Sequence, residues 1–463
     1  MSVFTTLCFG LLALAAAAPG EDQFDDKQYA SKNIITRDVA VIGGGSSGTH
    51  AAISLQALGK SVVVVEKEAV LGGHTSTYVD PGTGVPINYG VQAYFNISVA
   101  AEYFARLNVS MGPFQFNPVT QVHANFKTGQ SVPAPPSPGF AGYAAQAAKY
   151  PYLKYSWNLP NPVPSDLLLT FRDFLNKYNL QDVAYSVFLA GGGFANILDQ
   201  LTIHVFKLID FSYIRSISGE AFQPVSGDNG EIYPKALSLL GPNGAFLSST
   251  VVAARRSPSG VRLVVQTPSG KKLIKASKLL ITIPPLLPNI NPFDPTPSER
   301  SLFSQWSYTN YFIMLLTNTG LPSGFQIANA VASDTTFRIP SLPAPYHITE
   351  TRVKGLWYAW YASPTDTTEA AVKADVSAVV NRLRGAMGSN VTTPVNFLRF
   401  KSHTPFKLVV GKQAIQQGFY RKLGELQGQQ STWYTGAAFI SHDASLIWNF
   451  TTTLFPKMFA SRV

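Results

Sequence analysis

Glycines 43, 45 and 48 give the spacing GxGxxG and directly follow a short apolar stretch. In such a loop the first glycine permits a tight turn, the second lets the backbone approach a pyrophosphate, and the third allows close helix–strand packing. Glu66 ends the next apolar stretch, where its carboxylate can accept ribose hydroxyls and would repel a 2′-phosphate. The pattern predicts a dinucleotide site, without NADP specificity, made by Gly43, Gly45, Ser46, Ser47, Gly48, Glu66 and Lys67.

A second glycine pair follows shortly after Glu66, in the stretch Leu71–Thr75. It removes side chains beside the predicted pyrophosphate, which an NAD-only site does not need. We therefore expect FAD as the cofactor. The pair adds Gly72, Gly73, His74 and Thr75 to the predicted binding residues.

The elements that must hold these residues are a strand, a helix and a second strand. Asp38–Ile42 and Ser61–Val65 are apolar runs typical of buried parallel strands. Between them, residues 49–58 carry apolar side chains at helical spacing, and Gly59 is a helix stop. Farther along, turn residues separate three strands of a predicted meander, Phe246–Ala254, Val261–Thr267 and Leu279–Pro284.

Three of these stretches, Val41–Gly48, Val62–Lys67 and Leu71–Thr75, resemble the amine-oxidase-like FAD flavoproteins, and more narrowly the β-cyclopiazonate dehydrogenase-like subgroup of secreted flavoproteins. Trp433–Phe439 and Ser441–Asn449 resemble the terminal strand and helix that close on the isoalloxazine ring in that family. The resemblance implies an α/β fold, in which a Rossmann-like FAD-binding domain of the amine-oxidase/glutathione-reductase type carries an inserted α+β substrate domain.

The resemblance also implies further cofactor neighbours. Ile87–Gln92 is similar to the stretch that passes beside the flavin ring, and the backbone near Val251 corresponds to the adenine contact. A helix that starts near Ser441 or Asp443 would direct its dipole at the N1/C2 side of the flavin. The residues implied are Tyr89, Gly90, Gln92, Val251, Gly436 and Asp443.

The predicted domain limits follow from this assignment. After a signal peptide (1–20), the FAD-binding domain comprises residues 33–100, 231–290 and 401–463. The substrate domain comprises residues 101–230 and 291–400.

His74 and His442 are the candidate catalytic residues. His74 stands where the broader family usually has an arginine. It is expected to hydrogen-bond the phosphate or ribitol, or alternatively to form a covalent bond with the flavin 8α carbon. His442 is a second candidate for either role, or a capping residue of the terminal helix. No lysine matches a family motif well enough to be assigned as a base.

Other patterns favour structural roles. Gly191–Gly193 follows no convincing buried strand and is predicted to be a turn or helix bend beside a cavity. Trp357–Tyr361 is predicted to be a strand with Trp357 and Tyr361 on one face, more in keeping with sheet packing than with a substrate cage. The seven histidines show no HxH or HExxH spacing, which argues against a metal site, and no GxSxG elbow is present.

Composition excludes several classes of protein. With 46% hydrophobic and 13% charged residues, the chain is neither disordered nor a coiled coil. The net charge of +10 comes from scattered basic residues rather than runs, so a nucleic-acid partner is not expected.

The apolar, uncharged stretch Val3–Ala18 predicts a signal peptide and a secreted glycoprotein without a stable membrane anchor. The single cysteine, Cys8, lies within it. Four Asn-x-Ser/Thr sites, at Asn96, Asn108, Asn390 and Asn449, fit that route.

Together these features predict a secreted FAD-dependent oxidoreductase that moves hydride from a small apolar or amine-type metabolite onto flavin N5, with dioxygen as the electron acceptor. Two alternatives share the same cofactor motifs. One is a desaturase or oxidative cyclase of a secondary metabolite, and the other is a flavin-binding carrier without turnover.

Overall fold

The computed structural model describes residues 21–332 and 337–460. The predicted signal peptide lies outside these residues. The strands, in chain order, are β1 (Ile34–Ile42), β2 (Val62–Val65), β3 (Thr77–Val79), β4 (Pro86–Asn88), β5 (Tyr94–Phe95), β6 (Met111–Pro113), β7 (Thr120–Ala124), β8 (Ala221–Pro224), β9 (Ala245–Phe246), β10 (Thr250–Ser257), β11 (Gly260–Thr267), β12 (Gly270–Ile281), β13 (Ser307–Thr317), β14 (Phe325–Asn329), β15 (Ala344–Glu350), β16 (Trp357–Ser363), β17 (Asn396–Ser402), β18 (Phe406–Val409) and β19 (Thr432–Tyr434).

The α-helices, in the same order, are α1 (Ser46–Ala57), α2 (Ser98–Arg106), α3 (Ala141–Ala147), α4 (Phe171–Lys177), α5 (Ala184–Ala190), α6 (Thr202–Leu208), α7 (Phe211–Arg215), α8 (Ile232–Leu240), α9 (Leu287–Ile290), α10 (Pro297–Phe303), α11 (Glu369–Ala386), α12 (Lys412–Gln416), α13 (Phe419–Glu425) and α14 (Ala444–Phe459). In the two described ranges, none of these helices combines the length and the apolar character needed to cross a membrane.

The first large sheet is the predicted cofactor sheet. Its central strand β1 lies parallel to β2 on one side and to β12 on the other. β9 extends the sheet beside β2, β19 pairs in parallel with the end of β12, and β10 and β11 form an antiparallel meander with β12. Every residue of β2 is buried, as in other central parallel strands. This arrangement confirms the predicted α/β, Rossmann-like fold.

The meander differs from its prediction in two places. The predicted strand Phe246–Ala254 is divided, because β9 joins the parallel part of the sheet and the meander begins only at Thr250. The third strand begins at Gly270 rather than at Leu279. Lys271 and Lys272 suggest a polar turn, yet Leu273 and Ile274 are fully buried while the lysines extend outward.

The second large sheet has the order β17-β13-β16-β15-β14-β7, with β18 also paired to β13. In β16, Trp357 and Tyr361 lie on one face and pack in a hydrophobic cluster with α11. Tyr358 and Trp360 pack in a different cluster on the other face. The predicted strand and its alternation are therefore confirmed, and Trp357 is a core residue.

The two sheets divide the chain somewhat differently from the predicted domain limits. The last two thirds of α2 fall within the range 101–230, but its Tyr103 and Phe104 pack with Trp448 of α14 in the core of the first sheet. β18 falls within the range 401–463, but it pairs with β13 in the second sheet. The segment around β18 therefore belongs to the second sheet and also contacts His442, which directly precedes the N-cap of the terminal helix.

Candidate active site

The first glycine loop joins β1 to α1, as predicted. Gly43 has a φ of +100°, and a Cβ there would lie 2.7 Å from Thr282 Oγ1. A Cβ on Gly48 would overlap the carbonyl oxygen of Gly43. Both positions therefore require glycine, and the loop places the N-terminus of α1 at the carboxyl end of β1, where anions are favoured.

The second glycine pair packs directly on the first loop. The Gly72 N–H donates to the Gly44 carbonyl oxygen at 2.9 Å. A Cβ on Gly73 would lie 2.8 Å from the Gly45 Cα. The two loops thus lie backbone against backbone, which explains why side chains are missing from both. We call residues 43–48 and 72–73 the glycine cradle.

Glu66 supports the glycine cradle through hydrogen bonds to backbone N–H groups. Its buried carboxylate accepts the Gly44 N–H at 2.5 Å and the Glu68 N–H at 2.8 Å. Each carboxylate oxygen keeps acceptor capacity for a further donor such as a ribose hydroxyl. Lys67, in contrast, points outward, with its side chain 75% exposed beside Glu68.

Val251, which was predicted for the adenine side, lies near Glu66, whereas Thr75 follows the second glycine pair. The Ser249 N–H donates to the Glu66 carbonyl oxygen at 2.8 Å, and the buried Val251 follows in β10. Thr75 is buried, and its hydroxyl pairs with that of Tyr233 at 2.7 Å. Val251 therefore lies at the far end of the site, away from the histidines.

The terminal helix α14 begins directly after Asp443, as predicted, and its start lies at the other end of the site. Asp443 is its N-cap and accepts the Leu446 N–H at 2.8 Å. The Trp448 indole N–H donates to the Ser46 carbonyl oxygen at 3.1 Å, which fixes α14 against α1. A Cβ on Gly436 would lie 3.1 Å from the Thr282 carbonyl oxygen and 3.6 Å from Ser47 Oγ, so this glycine also belongs to the packed loops.

His74 and His442 come together around one aromatic ring, that of Phe406. The Phe406 ring lies 4.3 Å from the His442 ring, 6.1 Å from the His74 ring and 4.9 Å from the Tyr311 ring, measured between centroids. His403 packs edge-on against His74 at 4.6 Å. We call His74, His403, Phe406, His442 and Tyr311 the histidine cluster.

The stretch Tyr89–Gln92 passes beside this cluster. A Cβ on Gly90 would overlap the His74 carbonyl oxygen, so glycine is required for the chain to lie this close. The backbone of Tyr89 receives a hydrogen bond from the His403 side chain, which by itself raises the pKa of that imidazole. The Gln92 side chain turns back onto the Asn88 carbonyl oxygen at 2.6 Å.

All three histidines of the cluster are held neutral. Desolvation, followed by the charges of Lys401 and Lys67, lowers the pKa of His74 to about 4, although its side chain is exposed. Desolvation also places the pKa of His403 and of His442 well below 6.5, and His74 adds to both shifts.

Lys407 adjoins the cluster and is only 5% exposed. Its backbone N–H donates to His442 Nε2 at 3.1 Å, and its Nζ lies 4.4 Å from the centroid of the Phe194 ring. Burial lowers the pKa of Lys407 well below 10.5. Phe194 follows Gly191–Gly193, the predicted turn after α5, where a Cβ on Gly193 would overlap the Phe406 ring.

The structure brings the predicted residues into one continuous site, from Val251 through the glycine cradle to His442, with Lys67 pointing away from it. Their contacts with a cofactor stay predictions. Sequence reasoning missed His403, Phe406, Lys407 and Tyr311. They lie in no motif, and only the pairing of β13 with β18 and the end of β17 places them beside the loops.

Comparison with known proteins identifies the family. Residues 41–107 match the family model of the NAD(P)-binding Rossmann-like domain. The chain is 42% identical over 462 residues to the FAD-dependent oxidoreductase pigF of Monascus ruber, covering 98% of both chains. It is 34% identical over 438 residues to beta-cyclopiazonate dehydrogenase of Aspergillus oryzae, covering 93% of this chain and 95% of that relative.

The chain belongs to the FAD-dependent oxidoreductases.

Membership in this family confirms the predicted cofactor and the prediction of an enzyme. Solved structures confirm the fold. Fatty acid isomerase from P. acnes matches with a TM-score of 0.73 and 16% identity, over 93% of this chain and 100% of that one. Wild-type putrescine oxidase matches with a TM-score of 0.66 and 14% identity, over 92% and 100%. The oxidoreductase therefore has the amine-oxidase-like fold.

The residues of this oxidoreductase fit FAD. The glycine cradle leaves backbone, without side chains, where a pyrophosphate must approach, and α1 directs its N-terminus there. Glu66 has acceptor capacity for the ribose. The start of α14, capped by Asp443, and the segment Tyr89–Gly90 would hold the ring end.

Proposed function

We propose that this oxidoreductase is secreted and oxidises a small, largely apolar or amine-type metabolite, with flavin N5 as the hydride acceptor and dioxygen as the final electron acceptor. The observation that carries the proposal is the histidine cluster. It presents neutral imidazoles and aromatic rings immediately next to the glycine cradle.

When bound, FAD would supply the redox chemistry, which is acceptance of a hydride from a substrate C–H bond and transfer of the two electrons to dioxygen with formation of hydrogen peroxide. Loss of hydride turns a neutral amine into an iminium ion without further proton loss, whereas formation of a neutral alkene or carbonyl product also requires a proton to leave the neighbouring C–H or O–H group. The protein must provide the group that accepts it.

His403 is the residue best placed to accept this proton. Its ring donates one hydrogen bond to the backbone of Tyr89, and its Nε2 is buried without a hydrogen-bond partner in residues 21–332 and 337–460. Nε2 is therefore the unprotonated nitrogen. Because burial keeps the pKa of His403 well below 6.5, Nε2 is unprotonated at neutral pH, as a proton acceptor must be.

The aromatic side chains have a positioning role. Phe406 and Tyr311 stack at 4.9 Å and form an apolar wall beside the imidazoles. This wall would orient a flat or apolar substrate against the flavin and keep water out of the reacting site. The name of beta-cyclopiazonate dehydrogenase, given to a relative, supports a dehydrogenation as the reaction class.

Secretion and the choice of dioxygen are supported by the sequence. The apolar stretch Val3–Ala18 has the pattern of a signal peptide, and a secreted enzyme meets little NAD(P)H. Three of the four glycosylation sequons, Asn96, Asn108 and Asn390, have exposed asparagines.

The test is to express the full chain in a eukaryotic host and to purify it from the medium. A flavin spectrum is recorded before and after acid precipitation, and a panel of amines and apolar metabolites is screened with an oxygen electrode. We expect a yellow protein whose flavin is bleached anaerobically by a member of the panel and which then produces peroxide in air. A holoprotein whose flavin no compound reduces would instead support a carrier without turnover.

A further inference from the structure

A large cavity lies apart from the candidate active site, between the helices α12, α13 and α14 and the loop of residues 155–163. Its volume is about 870 Å³. This volume falls within the range of about 300–1,000 Å³ that is typical of small-molecule sites. Within the described part of the chain, the cavity shares no lining residue with the glycine cradle, the histidine cluster or the other residues predicted to contact FAD. We call it the α13–α14 cavity.

The α13–α14 cavity has an apolar floor and a polar rim. The floor consists of the lining residues that are at most 4% exposed, which are Ile415, Tyr420, Leu423, Phe439 and Leu454. Most of the exposed lining residues are polar, and several of them carry amide side chains that can both donate and accept hydrogen bonds. An apolar interior with a few polar groups at its edge is typical of a site that binds a small molecule.

The aromatic wall of this cavity is fixed from behind. The Trp157 ring stacks on the Tyr420 ring at 3.7 Å with an angle of 3° between the planes, and the Lys207 amine lies 4.7 Å from the Trp157 centroid. The same amine donates to the Ser156 carbonyl oxygen at 2.9 Å, and the Tyr420 hydroxyl pairs with His204 Nε2 at 3.1 Å. Protein interiors are otherwise close-packed, with few voids larger than a water molecule. An apolar cavity of this size, with walls that are held in place, therefore indicates a ligand.

The charges at the rim favour an uncharged ligand. Glu425 carries the only carboxylate among the described residues that line the cavity, and it pairs with Arg421 at 2.6 Å. Lys457 is exposed at the rim, where an ion pair would contribute little. A charged group placed on the apolar floor would lose its hydration without gaining a partner.

We propose that the α13–α14 cavity is a second ligand site, separate from the flavin, for an uncharged aromatic metabolite. Five of the lining residues are aromatic, namely Tyr155, Trp157, Tyr420, Phe439 and Phe450. Contacts between aromatic rings stabilise a complex beyond the effect of buried area alone. This inference goes beyond the proposed function, because binding in the cavity requires neither flavin reduction nor turnover.

The test uses the holoprotein and two fluorescent probes with the same ring skeleton, the uncharged N-phenyl-1-naphthylamine and its anionic 8-sulfonate. The emission of each probe is followed during titration. We expect saturable binding of the uncharged probe and about tenfold weaker binding of the sulfonate, because the floor offers its charge no partner. A sulfonate that binds more tightly than the uncharged probe would overturn the assignment of an uncharged ligand.

The variant Gly424→Phe tests whether the probe lies in this cavity. Gly424 lines the cavity in α13, and a Cβ added there would meet nothing within 4 Å, so the new ring has room to enter the cavity. We expect the uncharged probe to bind at least about tenfold more weakly, because the ring takes up the space that the probe needs. Gly385→Phe, at an equally open glycine in α11 outside the cavity, is the matched control and should bind the probe like the parent protein.

A second pair of variants approaches the cavity from α14. Thr453 lines the cavity and its neighbour Thr452 does not, although both are exposed and each donates its hydroxyl to a backbone carbonyl oxygen. Thr453→Phe should weaken binding of the uncharged probe as Gly424→Phe does, whereas Thr452→Phe should leave it unchanged. All four variants should keep the flavin content of the parent protein.

Two outcomes would overturn the second site itself. One is the absence of saturable binding of the uncharged probe to the parent protein, and the other is unchanged binding in both Gly424→Phe and Thr453→Phe. A flavin that no compound reduces would be a separate failure, that of the proposed function, and would leave these titrations unaffected.

Discussion

The glycine cradle and the histidine cluster lie side by side, yet they are built in different ways. The cradle is made of backbone from two loops close in sequence, and its chemistry depends on side chains that are missing. The histidine cluster is made of side chains that come from residues 74, 311, 403, 406 and 442. The cradle is therefore encoded by spacing, whereas the cluster exists only after both sheets have formed.

The two regions also differ in how they treat buried charge. Beside the cradle sheet, Arg256 and Glu299 form an ion pair at 2.6 Å with both side chains 2% exposed. Beside the cluster, Lys407 is buried with aromatic rings. Removing one partner of the Arg256–Glu299 pair would leave the other as an uncompensated buried charge.

The largest expected effect comes from disturbing the cradle. In Gly48→Ala the new Cβ would overlap the Gly43 carbonyl oxygen, so α1 must move away from β1. We expect loss of bound flavin and a protein that is mostly insoluble. The ratio of flavin to protein absorbance and the soluble yield measure this.

Gly385→Ala is the control for that substitution. Gly385 lies in α11 with nothing within 4 Å of its added Cβ, so alanine should keep full flavin content and raise helix stability slightly. If Gly48→Ala also keeps its flavin, the close packing of the cradle is not what the cofactor site requires.

The next effect is on the paired charge. Glu299→Gln leaves Arg256 buried without its counter-ion and should lower the free energy of unfolding by about 3–5 kcal/mol, measured by chemical denaturation. The exposed pair Arg421–Glu425 offers the comparison, because Glu425→Gln should cost at most about 1 kcal/mol.

The loss of stability caused by Glu299→Gln should depend on pH. Burial opposes the charged form of Glu299, but the hydrogen bonds and charge of Arg256 outweigh it and hold the carboxyl pKa below 4.5. The stability due to the pair is then present above pH 4.5 and is lost as pH falls through the folded-state pKa. The difference between parent and variant should shrink on acidification. A difference that grows at low pH would contradict this assignment.

These differences explain how much the sequence could predict. The strand, helix and strand around the cradle and the start of α14 follow from apolar runs, glycines and a capping aspartate, which act locally. His403 and Lys407 lie in a stretch with no such signal, and β18 lies in the range predicted for the FAD-binding domain although it pairs with β13. Long-range strand pairing brings His403 and Lys407 into the site, and such pairing cannot be predicted from residue spacing.

A third test breaks the histidine cluster without touching the cradle. His403→Asn keeps a donor for the Tyr89 backbone but removes the proton acceptor Nε2, so we expect the flavin reduction rate to fall about 100-fold with flavin content unchanged. In the parent protein the low pKa of His403 should keep the acid limb of the rate profile below pH 6.5. Stopped-flow reduction across pH measures both. An equal acid limb in parent and variant would exclude His403 as the acceptor.

The smallest expected effect comes from a substitution of Glu66, because Glu66 is a single side chain that supports the backbone of the glycine cradle. In Glu66→Gln the amide nitrogen cannot accept the N–H of Gly44 or of Glu68, so one of two buried hydrogen bonds is lost and one ribose acceptor with it. We expect FAD affinity to fall about tenfold, as for loss of one charge-assisted hydrogen bond, with an unchanged reduction rate once FAD is saturating.

Reconstitution of the apoprotein, followed by quenching of flavin fluorescence, gives the affinity. The control is Glu68→Gln, because the Glu68 side chain is 57% exposed in the parent protein. If Glu66→Gln slowed reduction at saturating FAD, the cradle and the histidine cluster would be coupled, and the separation between a backbone site for the cofactor and a side-chain site for the substrate would not hold.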